Sequence, residues 1–346
     1  MAMNGMMCIH IGEMSDVVEA RQRAMMVCKA QGLSSALSGT FSIIVTELAI
    51  NIVKHAGEGE VLIRTGAEAE AFAIECLALD HGPGIRDVGM SLNGGNPAGA
   101  GLRTGLKTVR SLSSVFDFYT QVGKGSAVLA RIDKESPVTG HDSPAPPASS
   151  RMAIGVVCLP LVPDEPCGDG WYVIRDPGRT TILVVDGLGH GPEAAKVQLE
   201  AIRIFRKDPN GDPAEIIRTL HAGLRSTRGG VAAAAVIDED RGRVTYAGAG
   251  NILGQIITGS ETVKMVSLNG TLGNDIRKIQ DFSYSWETGA LLVMYSDGLS
   301  MQWDLENYPG LRQKDPALIA GVLYRDHTRG TDDVTVLIVK PCGVKT

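Results

Sequence analysis

The chain has 346 residues, 44% of them apolar and 21% charged, with a formal net charge of −6. This predicts about two soluble globular domains, and the acidic balance argues against a nucleic-acid surface. No run of about 18 apolar residues is present to span a membrane. The start, MAMNGMMCIHIGEMSD, lacks the basic region and cleavage site of a secretory signal, so a cytoplasmic protein is expected. In chain order, MMCIHI reads as a strand and Asp16–Ala30 as a helix. Leu33–His55 reads as one or two helices, and VLIRT and AFAIECLALD as strands. After a glycine-rich loop, Leu102–Leu112 has helical spacing, and VFDFYTQ with SAVLARI closes a hairpin around Gly123 and Gly125. The pattern is an α+β layer, with helices on one side of a mostly antiparallel sheet.

KESPVTGHDSPAPPASSR is rich in Pro and Ser and has no apolar periodicity, so it reads as a linker over residues 134–151. It separates a domain at 1–133 from one at 152–346. The later domain is strand-dominated: AIGVVCLPL, GWYVIRD, TTILVVDG, GGVAAAAVIDED, RVTYAGAG, ILGQII, LLVMYSDG and DVTVLIVK. Helices are expected near Glu193–Arg206 and Ala214–Arg225, which together predict a β-sandwich flanked by helices. The six cysteines are widely spaced without a C-x-x-C, so reduced thiols are expected.

Three signals carry chemistry in the first part. TELAINIVKHAG places Glu47, Asn51 and His55 at i, i+4 spacing, so a carboxylate and an amide share one helix face while Ile43, Ile44, Leu48 and Ile52 pack the other. LALDHGPGI ends a strand on Asp80, and Gly82 and Gly84 admit a close ligand. GGNPAGAGLRTGLKTVR runs through Gly99, Gly101 and Leu102 into a helix whose N-terminus suits phosphate. The Gly99, Gly101, Gly105 spacing does not match a dinucleotide fingerprint, and no P-loop is present.

In this order the three motifs resemble the GHKL (Bergerat) ATP-binding fold, an α/β sandwich, over about Met7–Ile132. The likeness is to its small bacterial anti-sigma-factor and switch serine kinases. The resemblance implies that Asp80 binds the adenine amino group and that Asn51 helps hold Mg²⁺ on ATP or ADP. It also implies that Glu47 orients or deprotonates the attacking hydroxyl, and that Gly82, Gly84, Gly99, Gly101 and Leu102 shape the nucleotide pocket and its lid.

The second part repeats one pattern, Asp at one end of an apolar strand, either just before it or just after it, beside Gly or Thr. Asp169, Asp186, Asp297 and the pair Asp332 and Asp333 all stand so. Gathered by folding, these carboxylates would repel, and an all-oxygen set selects Mg²⁺ or Mn²⁺ over zinc. The ordered set G-D, D-G-x-G-x-G, S-D-G and D-D-V-T resembles the metal-dependent protein phosphatases of the SpoIIE/RsbX type, over about Arg151–Lys340. That resemblance implies two Mn²⁺ or Mg²⁺ ions on Asp169, Asp186, Asp297 and Asp332, with the Gly187 carbonyl contributing. Asp333 is the alternative to Asp332. The ions would activate water and clamp phosphate oxygens. His190 reads as a loop residue, and YAGAGN (Tyr246–Asn251) as a structural turn.

The fusion implies a bifunctional signalling switch, kinase-like in one part and phosphatase in the other. Its implied partners are STAS-domain anti-sigma antagonists or stressosome-like phosphoproteins, with a sigma factor or a downstream phosphatase as further candidates. Neither nucleic acid nor membrane is expected as a partner, and a homodimer is compatible with these features. The rival is a non-catalytic nucleotide-loaded binding domain that regulates the phosphatase.

Overall fold

The structure is a computed structural model. It describes residues 5–66, 70, 72–85, 100–134, 152–259 and 261–342, with backbone alone for 100–104. The linker and Gly99 lie outside the described residues. The chain divides into two compact units. The first takes the residues before the linker and also Asp304–Arg325, and the second takes the remainder. That inserted segment departs from the boundary at 152–346 expected from the sequence.

The first unit is built on one antiparallel sheet. Its strands are β1 (Met6–Ile11), β2 (Gly59–Thr65), β3 (Phe72–Asp80), β4 (Val115–Gln121) and β5 (Gly125–Asp133), in the order β1-β2-β3-β5-β4. One face packs on α1 (Met14–Ala30), α2 (Ser35–Asn51) and α3 (Ala100–Leu112). Period-2 alternation splits β3: Ile74, Cys76 and Ala78 join that helical core. Leu77 and Leu79 point the other way, where Gly321 of a later helix, Pro316–His327, meets them. A Cβ at Gly321 would overlap Leu77 Cδ2. Helices on one side only were expected. The second face is covered because Pro316–His327 is apolar all round, with Ala317, Leu318, Ile319, Ala320, Val322 and Leu323 fully buried.

Helix α2 runs on through a π-helical turn, Ile52–Ala56, closed by Gly57 at φ 88°. Ser34 caps its start by accepting from Leu37 N–H at 3.2 Å. Ser35–Ala56 is, among the described residues, long and apolar enough to cross a membrane by length and composition. Here Phe41, Ile44, Val45, Leu48, Ala49 and Ile52 recur at helical spacing and are buried in the core. Ile43, expected on that packing face, is 46% exposed instead.

In the second unit one sheet runs β13 (Ser267–Leu268)-β10-β9-β8-β7 with β14 (Phe282–Ser285) on β10, and another runs β12 (Thr262–Lys264)-β11 (Leu253–Ile257)-β15-β16-β6. The strands that place the site are β6 (Met152–Leu159), β7 (Asp169–Asp176), β8 (Arg179–Gly187), β9 (Gly230–Asp238), β10 (Arg243–Ala249), β15 (Leu291–Tyr295) and β16 (Val334–Pro341). Inward side chains of both sheets form one core, including Ile154, Val156, Ile182, Val184, Ala233, Ala235, Leu292 and Leu337. The outer face of the β7–β10 sheet carries helices α4 (Pro192–Lys207) and α5 (Pro213–Gly223), packed through Val197, Ala201, Phe205, Ile217 and Leu220. This is the expected helix-flanked sandwich. All six cysteines are free thiols.

Candidate functional sites

In the first unit a cavity of about 320 Å³ opens between α2, the ends of β3 and β5, and α3. It is lined by Leu48, Asn51, Asp80, Gly84, Leu106 and Ser126, among others. Glu47 and Asn51 meet where their spacing predicts: a Cβ added at Gly105 of α3 would lie 2.8 Å from Glu47 Oε2 and 3.4 Å from the Asn51 amide. Gly105 thus clears room for both side chains. Asn51 Nδ2 is buried with no hydrogen-bond partner among the described residues. It is an unmet donor of the kind phosphate oxygens satisfy, beside an amide oxygen of the type Mg²⁺ takes.

Asp80 is half-buried at the end of β3. Its Oδ1 accepts from Gly82 N–H at 2.8 Å and Ser126 N–H at 3.1 Å. These bonds hold the carboxylate at the cavity wall. Burial pushes its carboxyl up, while the two N–H donors and the Arg325 guanidinium oppose that shift. Gly82 and Gly84 permit close packing: a Cβ on Gly82 would sit 2.7 Å from Ala56 Cβ, and Gly84 has φ 69°. Gly101 and Leu102 form the first turn of α3. Ser126 and Gly105 were not singled out from sequence. Ser126 carries no motif, and only its cross-strand place beside Asp80 reveals it.

In the second unit Asp169 and Asp186 are direct cross-strand partners on β7 and β8. Asp297 follows β15, and Asp332 and Asp333 precede β16. Among the described residues no three of these groups are gathered tightly enough to hold a metal ion as they stand. They do act on one another. Burial, then Asp169, Asp297, Asp332 and Asp333, push the Asp186 carboxyl up to about 9. Burial lifts Asp169 to about 7, with Asp333 and Asp332 adding to it. Asp169 Oδ2 accepts from Ser296 Oγ at 2.6 Å, but Oδ1 is buried without a partner among the described residues. An orphaned carboxylate oxygen amid mutually repelling carboxylates fits hard divalent cations.

The Asp pair divides its work. Asp333 is buried, and its two oxygens accept from Leu161 and Gly168 N–H at 2.6 Å each, tying down the loop before β7. Asp332 is more exposed and takes only the Asp333 N–H, at 2.9 Å. The sequence alone left Asn251 as part of a structural turn and passed over Ser296. Asn251 Nδ2 donates to Asp297 Oδ2 at 2.7 Å, and Ser296 also accepts from Thr335 N–H at 2.9 Å. His190 is exposed in its loop, between Gly189 and Gly191, both at φ 76°.

Two glycines are required by close approach. A Cβ on Gly187 would fall on the Ala194 carbonyl, and one on Gly298 on the Asp333 carbonyl. Gly298→Ala is expected to cost about 1–3 kcal/mol of stability by overpacking and to shift Asp297 against Asp333. Thermal melts and phosphatase assays of the same sample check this. A variant with unchanged melting and activity would show the backbone there yields freely.

Residues 176–341 match the family model described as stage II sporulation protein E (SpoIIE), and residues 12–132 match the histidine kinase-like ATPase domain. The chain is 31% identical over 128 residues to the serine/threonine-protein kinase RsbT of Bacillus subtilis (strain 168), covering 37% of this chain and 96% of RsbT. A solved chain described as "The bacterial stressosome: a modular system that has been adapted to control secondary messenger signaling" shares 28% identity at TM-score 0.51, over 55% of this chain and all of that one. RsbX in complex with magnesium shares 21% identity at TM-score 0.47, over 55% and 95%. The chain belongs to the RsbT-like histidine kinase-like ATPase family through its first part, and its second part matches the SpoIIE model, so that a kinase-like ATPase domain is fused to a serine/threonine phosphatase domain.

Proposed function

We propose that this protein is a two-way switch, which phosphorylates and dephosphorylates serine or threonine on STAS-type regulators of sigma-factor or stress signalling. The observation that carries the reading is the set of mutually repelling carboxylates around the orphaned Asp169 oxygen, in a chain that also holds an RsbT-like nucleotide cavity. A chain with both sites sets the phosphorylation level of its partner by the balance of two rates.

On this reading Asp169, Asp186, Asp297 and Asp332 hold two Mn²⁺ or Mg²⁺ ions, with the Gly187 carbonyl. Bound, the ions supply a low-pKa water as nucleophile and neutralise phosphate charge. The chain's own residues prepare that site. Ser296 aims Asp169, Asn251 aims Asp297, and Asp333 anchors the loop that delivers Asp169. Asp332 rather than Asp333 is the ligand, because both Asp333 oxygens already serve backbone N–H groups. Gly187 and the turn glycines after it leave room for a bulky phosphoprotein.

In the first unit Asp80 accepts from the adenine amino group, and Asn51 faces the Mg²⁺-bearing phosphates of ATP or ADP. Glu47, held beside Asn51, orients the partner's hydroxyl and takes its proton. Gly101 and Leu102, in the first turn of α3, would contribute to the lid that the resemblance implies, and Gly99 of the same motif lies outside the described residues. Asp80→Asn exchanges one acceptor oxygen for a donor at a half-buried site. It should weaken ATP binding by roughly 1–3 kcal/mol. Calorimetry on a folded mutant that returned wild-type affinity would remove Asp80 from the adenine site. The cell compartment proposed is the cytoplasm, where ATP is available.

The test of the whole reading is intact-mass analysis of a phosphoserine STAS protein incubated with the chain. Loss of 80 Da (one HPO₃), about 80 by that chemistry, should require Mn²⁺ or Mg²⁺. Loss that proceeds undiminished in excess chelator contradicts it.

A further inference from the structure

The nucleotide cavity is finished by a residue far from its motifs. The β3–β5 ladder ends at the pair Leu79↔Ala127. One step further, Ser126 N–H turns to the Asp80 carboxylate instead of continuing the ladder. On the same two residues the backbone carbonyls are gathered by one guanidinium: Arg325 Nη1 donates to Asp80 O at 3.0 Å and to Ser126 O at 3.3 Å. The strands run close here, since a Cβ on Gly125 would fall on that Asp80 carbonyl.

Arg325 is buried, and it ends the segment Asp304–Arg325 that the first unit takes from the later part of the chain. The segment is pinned at several points. Arg131 grips Asp315 with two bonds, at 2.6 and 2.9 Å. Asp117 accepts from Lys314 Nζ at 2.9 Å and Asp315 N–H at 3.0 Å. Gly321 seats against Leu77 and Leu79. A side chain held at the end of so constrained a segment has a fixed reach.

We propose that Arg325 is a positioning residue of the nucleotide site, setting the spacing of the Asp80 and Ser126 backbone and through it the aim of the Asp80 carboxylate at the base. The proposal rests on reading the cavity as an adenine-nucleotide site. Two effects converge. The bridge holds Ser126 N–H within reach of Asp80 Oδ1, which leaves Oδ2 for the base. The guanidinium charge also favours the ionised carboxylate against its burial, and only the ionised form is purely an acceptor. Adenine presents an amino donor to such an acceptor, whereas guanine presents a carbonyl at the same ring position. Misaiming Asp80 should therefore erode base discrimination, not only affinity. The nucleotide unit thus takes a working part from residues that match the SpoIIE model, 176–341.

The experiment measures ADP and GDP dissociation constants and melting temperature on the full chain. The variants are Arg325→Gln, Arg325→Lys and the control Asp315→Asn, which loosens the segment near its middle. Arg325→Gln should lose about tenfold in ADP affinity, the scale of a lost charged hydrogen bond, with the ADP:GDP ratio falling alongside. Arg325→Lys, which keeps the charge and one donor group, should fall between wild type and Gln. It also provides a folded sample if Gln does not fold. Asp315→Asn should lower the melting temperature and leave the ratio unchanged. An unchanged ratio in both Arg325 variants, with adenine preference intact in wild type, overturns the positioning role alone. A wild-type chain with no adenine preference overturns the reading of the cavity, and this proposal with it.

Discussion

Asp186→Asn should abolish metal-dependent phosphatase activity, by roughly a hundredfold or more, because several kcal/mol of transition-state charge stabilisation leave with the metals. Asp186 faces Asp169 across β7 and β8 and also feels Asp297, Asp332 and Asp333, which makes it the centre of the repulsion. The substitution has a second, opposite signature. Without metal, the Asp186 carboxyl sits raised to about 9. A raised carboxyl means folding disfavours its charged form, so metal-free stability falls as pH rises above the ordinary carboxylate range and levels off above about 9. Asn removes that cost. In chelator the variant should therefore melt no lower than wild type, and in Mn²⁺ it should lose the stabilisation that ligand binding gives wild type. Paired melts with and without Mn²⁺ read this directly. An Mn²⁺-induced rise that survives Asp186→Asn at full size would remove Asp186 from the metal set.

The second large effect separates Glu47 from Asn51. Glu47→Ala should leave ATP affinity within about tenfold and lower phosphotransfer by about 10²-fold or more, the scale of a positioned acid–base group. Asn51→Ala should damage both, because it faces the phosphates in the ground state as well. The two side chains stand together over Gly105, so a general collapse of the site would affect both variants alike, and only the split identifies roles. Single-turnover phosphotransfer in an Asp186→Asn background, with ATP affinity by calorimetry, measures it. Full-rate phosphotransfer in Glu47→Ala would make Glu47 a surface carboxylate.

Local physics made much of this chain legible in advance. The apolar spacing of Phe41, Ile44, Val45, Leu48 and Ile52 marks a core helix, and its i, i+4 rule brings Glu47 beside Asn51. Asp at one end of an apolar strand, beside Gly or Thr, marked each position of the carboxylate set. What stayed hidden depends on long-range placement. PALIAGVLYRDH is apolar on every face, so it has no periodic stripe to read, and nothing local assigns it to the β1–β5 sheet. Its signal, had it been sought, was β3: FAIECLALD is a nearly continuous apolar run, the mark of a strand covered on both faces. Ile43 lies one position from buried Ile44, yet the helix turn carries it to the surface. Asn251 and Ser296 looked like turn and strand residues because their partners, Asp297 and Asp169, are brought to them only by folding. Asp332 was preferred to Asp333 from the sequence, and only folding brings the backbone donors of Leu161 and Gly168 onto the second.

The central claim is that one chain adds and removes the same phosphate, and label transfer tests it most directly. The Asp186→Asn chain is incubated with γ-labelled ATP, Mg²⁺ and a STAS protein, the nucleotide is removed, and wild-type chain is added with Mn²⁺ or with excess chelator. The account predicts that label moves from nucleotide to serine or threonine in the first stage, and from protein to inorganic phosphate in the second, only with Mn²⁺. Release by wild type in excess chelator, or by Asp186→Asn at the wild-type rate, would contradict it.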